Sequence, residues 1–81
     1  MPDLIELTVE DARRIKFEIG RLKYGTETFC GHPLKELFDE CLDGMNYCDE
    51  AQKRGFDLAK ERQTLEGIAR RVQSLYEHNL A

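Results

Sequence analysis

Two amphipathic segments of this chain carry apolar stripes that do not line up. Leu37, Phe38, Cys41 and Met45 mark one, and Leu58, Leu65, Ile68, Ala69, Val72, Leu75 and Tyr76 mark the other. Drawn on one straight helix at about 100° per residue, the two stripes are rotated from each other by roughly 160°. A continuous rod would show them to opposite sides, which works only if its second half packs on another subunit. Between them stand Lys53, Arg54 and Gly55, which read as a basic last turn and its glycine stop, followed by Asp57, a residue type that caps helix starts. The expectation is a helix over about 33–54, a break at Gly55, and a further helix over about 57–78.

An earlier helix is written in the same terms. Thr8 precedes Val9, Glu10 and Asp11 as an N-cap with acids in the first turn, and Val9, Ala12, Ile15, Ile19 and Leu22 recur at helical spacing. It should run over about 9–24 and stop at Gly25. Residues 25–33, GTETFCGHP, read as a connection with Phe29 turned into the core, and Pro33 suits a first helical position, where no N–H is needed. The fold class is thus all-α, a three-helix chain in a single domain over 1–81.

So short a chain buries only a marginal core, so completion of a helical bundle by homo-oligomerisation is expected. No apolar run approaches the roughly 20 residues that span a bilayer, and the first residues lack the basic and apolar regions of a signal peptide. No membrane association and a cytoplasmic location follow as expectations. Cys30, Cys41 and Cys48 show no CxxC spacing, and the latter two lie seven apart on an apolar face. They read as buried free thiols rather than as ligands or a disulfide.

The formal net charge is −4, which disfavours a general nucleic-acid-binding role, since such proteins neutralise phosphates with a basic face. The charge is also unevenly spread. Arg13, Arg14, Lys16, Arg21 and Lys23 make the first helix basic, whereas residues 33–50 carry Lys35 against six acids. The plain reading is charge complementarity between neighbouring helices, and the functional one is a ligand surface.

Within the acidic helix Glu36, Asp39, Glu40, Asp43 and Glu50 share one face with Tyr47. Side chains at i, i+4 and i+7 stack on one side of a helix, so Glu36, Glu40 and Asp43 could converge on Mg²⁺ or Mn²⁺, which favour oxygen ligands. A row of acids on a solvated helix is also common without any ligand. Its internal repulsion is worth only tenths of a kcal/mol per pair. His32 lies one turn before Glu36 and reads as a solvated loop residue, and His78 suits the end of the third helix. Ser74 is the only serine, no nucleophile and base arrangement stands out, and glycine-rich phosphate loops are absent.

The segment from Arg21 to Tyr47, RLKYGTETFCGHPLKELFDECLDGMNY, resembles the short, phage-type MazG-like proteins of the all-α nucleoside triphosphate pyrophosphatase superfamily. What matches is a basic helix ending in Tyr-Gly, a short loop, and a helix with an E-x-x-D core and an aromatic four residues on: Glu40, Asp43 and Tyr47. The resemblance implies an oligomeric helical bundle that hydrolyses nucleoside triphosphates between the α and β phosphates with Mg²⁺. It implies Glu40 and Asp43 as metal ligands and Glu36 as a ligand or as the residue orienting the attacking water. Arg21 and Lys23, with Tyr47, would contact the substrate, and Arg13 and Lys16 are further candidates for its phosphates. The family's earlier acid cluster, E-E-x-x-E, is unmatched, because the first helix offers Glu18 among five basic residues. A non-catalytic alternative is a phage-type adaptor or inhibitor that sets its acidic face on a basic surface of a host protein. A purely structural oligomer built on the Leu58 to Tyr76 stripe is the third.

Overall fold

A computed structural model describes residues 3–24 and 31–80, with the side chains of 21–24 and 80 outside the description. Its elements are a short 3-10 turn at Leu4–Glu6 and three helices, α1 (Val9–Tyr24), α2 (Pro33–Lys53) and α3 (Ala59–Leu80). Among the described residues there is no strand. The chain divides into two compact units, residues 1–30 and 31–81.

The first unit is α1 with the turn that precedes it. Thr8 Oγ1 accepts from the Asp11 N–H at 3.2 Å, and the Thr8 carbonyl accepts from Ala12, which is the N-cap arrangement expected of this residue. Ala12 and Ile15 are half-buried, while Val9, Phe17 and Ile19 stay exposed. The proposed stop at Gly25, the inward turn of Phe29 and the thiol of Cys30 all lie outside the described residues.

The second unit is an antiparallel hairpin of α2 and α3. Its start is fixed by Pro33 in the first turn and by His32, whose Nδ1 accepts from the Leu34 N–H at 3.2 Å. Its corner is the predicted break. Gly55 adopts φ +95°, a left-handed conformation costly for any residue with a Cβ. The Gly55 N–H donates to the Gln52 carbonyl and the Phe56 N–H to the Ala51 carbonyl, each at 3.1 Å, which closes α2 in a Schellman motif. Asp57 then accepts from the Ala59 N–H at 3.2 Å, and α3 begins two residues later than expected. The continuous-rod alternative is excluded by this reversal.

The seam between α2 and α3 is thin. Cys41, Cys48, Ala69 and Val72 are buried, and no large side chain among the described residues is fully so. Phe38, Met45, Leu58, Leu65, Leu75 and Tyr76 are half-buried, and Leu37 and Ile68 stand at the margin. Gly44 lets the helices approach closely, since a Cβ there would lie 2.9 Å from Leu65 Cδ1. An ion pair bridges the helices nearer the corner, with Arg62 Nε donating to Asp49 Oδ1 at 2.7 Å. That hydrogen bond, then the carboxylate's charge, raises the Arg62 pKa above its ordinary value. No helix among the described residues is long and apolar enough to cross a membrane.

Candidate functional site

The acidic residues of α2 lie on the side turned away from α3. Cys41 and Cys48 face the seam, so at about 100° per residue Glu36, Asp39 and Asp43 point in the opposite direction, with Glu40 and Tyr47 toward one margin. All four acids are exposed, and Tyr47 keeps 75% of its surface in solvent. The three proposed ligands are therefore presented together, on one helix and one exposed side.

What separates these acids from others in the hairpin is their lack of counter-charge. Asp49 meets Arg62, Glu66 meets Arg62 and Arg70, and Glu50 meets Lys53 and Arg54 at 3.6 and 3.9 Å. Glu36, Asp39, Glu40 and Asp43 have no ion pair or side-chain hydrogen bond among the described residues. Four repulsive pairs at i, i+3 and i, i+4 run along this row, each costing tenths of a kcal/mol. A cation set against the row recovers that cost, whether it is a metal ion or a basic side chain.

The donor set suits a hard divalent ion. Carboxylate oxygens are the ligands Mg²⁺ takes, and Mg²⁺ commonly uses one or two of them with waters and phosphate oxygens completing its shell. Among the described residues no group of three or more acids, histidines or cysteines is gathered closely enough to enclose an ion. The acids are displayed on an open helix surface and not gathered into a closed cage. Arg21 and Lys23 belong to α1 by their backbone, but their side chains lie outside the described residues.

A different feature occupies the open end of the hairpin. Leu34, Phe38, Val72 and Tyr76 wall a largely apolar hollow of about 320 Å³, with Lys35, Gln73 and Glu77 completing its lining. His32 packs edge-on against Tyr76 with ring centroids 5.0 Å apart, and Lys35 Nζ lies 5.4 Å from the centre of that ring. His32, read from the sequence as a solvated loop residue, is exposed and also serves as the cap and as this aromatic partner. The signal for it was local: a polar residue immediately before Pro33 occupies the N-cap when proline takes the first helical position. The hollow itself had no sequence signal, because it depends on the register in which Tyr76 meets Phe38.

Comparison with known proteins adds no assignment: no family model, curated protein or solved structure matches this chain.

Proposed function

We propose that the outer face of α2 is the working surface of this protein, and that it binds Mg²⁺ and, through it, a nucleoside triphosphate. The observation that carries this reading is the unpaired row of Glu36, Glu40 and Asp43, held on one exposed side of a capped helix. The resemblance to short, phage-type MazG-like proteins names the same three residues and adds Tyr47, which stands exposed beside Glu40. In this reading Glu40 and Asp43 hold the ion, Glu36 orients a water, and Tyr47 offers its ring to the base. Bound Mg²⁺ would supply charge compensation for the triphosphate and acidify a bound water. The chain's own carboxylates hold and orient, and α2, fixed at both ends by His32 and Gly55, keeps them in register. Turnover to monophosphate and pyrophosphate needs acids beyond this helix, which a second copy would have to supply.

The test is thermal melting and product analysis over a panel of nucleoside triphosphates with Mg²⁺, Mn²⁺ or chelator. Stabilisation by metal and nucleotide together, lost in Glu40→Gln and Asp43→Asn, is the expected result. Indifference to both in the parent chain removes the reading.

One observation favours a second reading. The acid face is open rather than enclosed, which is also the geometry of a surface that receives a basic protein. A non-catalytic adaptor or inhibitor of a host protein would form a complex that salt weakens and chelator leaves intact. Charge reversal at Asp39 separates the two, because Asp39 contributes to such a surface but is not one of the three ligand positions.

A further inference from the structure

At the open end of the hairpin each helix carries a charge of the sign that its dipole disfavours. Lys35 lies in the first turn of α2, the positive end of that helix, and Glu77 in the last turn of α3, a negative end. Glu36 and His78, in the same two turns, have the favoured signs, but neither lines the hollow. Lys35 and Glu77 both do. No carboxylate meets Lys35 among the described residues, and its Nζ lies instead over the Tyr76 ring. The Glu77 carboxylate has no ion pair or hydrogen bond among them either. The α2 side of the hollow thus offers an uncompensated cation, and the α3 side an uncompensated anion.

Between these charges the hollow is apolar. Leu34 and Phe38 form its α2 wall and Val72 and Tyr76 its α3 wall, with Val72 buried and the other three half-buried. The edge-on contact of His32 holds the Tyr76 ring in place before any ligand arrives. A volume of about 320 Å³ is at the lower end for small-molecule sites, which share this combination of apolar walls and a few converging polar groups. The charges then select the occupant. A simple carboxylate compensates Lys35 but adds charge beside Glu77, and a simple amine does the reverse. A zwitterion compensates both, and its two ends also face the helix ends whose dipoles favour them. The apolar walls require, in addition, an apolar body attached to that head.

We propose that the open end of the hairpin binds a free α-amino acid with an apolar side chain of the leucine or phenylalanine kind. Its side chain enters between the two apolar walls, its carboxylate turns to Lys35 and its ammonium to Glu77. The site shares no residue with the acid row of α2. It goes beyond the nucleotide reading and does not depend on it.

The experiment titrates the whole chain, without metal or nucleotide, with L-leucine and L-phenylalanine, followed by saturation-transfer NMR and melting temperature. Both should bind saturably, and glycine, which has the head but no apolar body, should not. N-acetyl-L-leucine lacks the ammonium and L-leucinamide the carboxylate, and each should bind about two- to fivefold more weakly, the loss expected for one exposed ion pair. Lys35→Gln and Glu77→Gln should each weaken leucine binding by the same factor. The first should no longer distinguish leucine from leucinamide, and the second should no longer distinguish it from N-acetyl-leucine. Circular dichroism of both variants, expected to match the parent, separates loss of binding from loss of fold. No saturable response to either amino acid would overturn the proposal and point to cover by another part of the chain or by a protein partner. Blocked analogues that bind the parent as well as leucine does, or variants that bind leucine as the parent does, would overturn it equally. Because metal and nucleotide are absent throughout, failure here and failure of the nucleotide reading are separate results.

Discussion

The two long faces of α2 belong to the same helix and are stabilised in opposite ways. Toward α3, Cys41 and Cys48 are buried, Gly44 admits Leu65, and Asp49 is matched by Arg62. Away from it, Glu36, Asp39, Glu40 and Asp43 stand unpaired among the described residues and Tyr47 is mostly in solvent. The first face is accounted for by the hairpin itself. The second costs the hairpin a little stability, and nothing within the hairpin returns it. A helix built so unevenly keeps its cohesive contacts on one side and its uncompensated charge in solvent on the other.

The largest expected effect breaks the inner face. Val72→Asp places a charge with no partner in a seam where four described residues are buried, and should cost about 3–4 kcal/mol, enough to abolish cooperative melting in a unit this small. Far-ultraviolet circular dichroism with temperature checks it. Next is Gly44→Leu, which drives a branched side chain into Leu65 and should cost about 1–3 kcal/mol despite leucine's better helix propensity. Gly44→Ala needs only a shift of the Leu65 methyl end, so its helix-propensity gain offsets the crowding and urea denaturation should place it near the parent. Gly55→Ala follows at about 1 kcal/mol, because the φ of +95° strains any residue with a Cβ. Its measurement is the same urea midpoint.

On the outer face the sign reverses. Neutralising the row with the triple variant Glu36→Gln/Glu40→Gln/Asp43→Asn removes like-charge pairs and should stabilise the metal-free protein by up to about 1 kcal/mol at low salt. The gain should fade as salt is added. Smallest is Asp49→Asn, which lowers the melting temperature by removing the half-exposed pair with Arg62. Because Asp49 raises the arginine's pKa, the arginine's share of that pair is present through neutral pH and is lost only as pH rises through the raised value.

The difference between the faces also explains what was legible in the sequence. Helix existence and phase were, because stripes, caps and Gly55 act locally: α1 falls at Val9–Tyr24, and α2 ends within a residue of its expected stop. The burial of Cys41 and Cys48 followed from their spacing of seven. Leu37 and Ile68, members of the two apolar stripes, stand at the margin of the seam, because two helices cover only part of each other's apolar arc. The close approach at Gly44 and the hollow beside Tyr76 arise from interhelical register, which no local pattern specifies. The acid row was legible as a row, but its lack of partners was not, since pairing depends on what lies opposite.

The central claim, that the outer face of α2 takes up Mg²⁺ with a nucleoside triphosphate, is tested most directly by one titration. Melting temperature is followed against Mg²⁺ at fixed nucleotide for the parent and for the triple variant Glu36→Gln/Glu40→Gln/Asp43→Asn. The account predicts that metal and nucleotide raise the parent's melting temperature in a saturable way and leave the more stable variant where it began. Equal responses in the two proteins, or none in either, would contradict it.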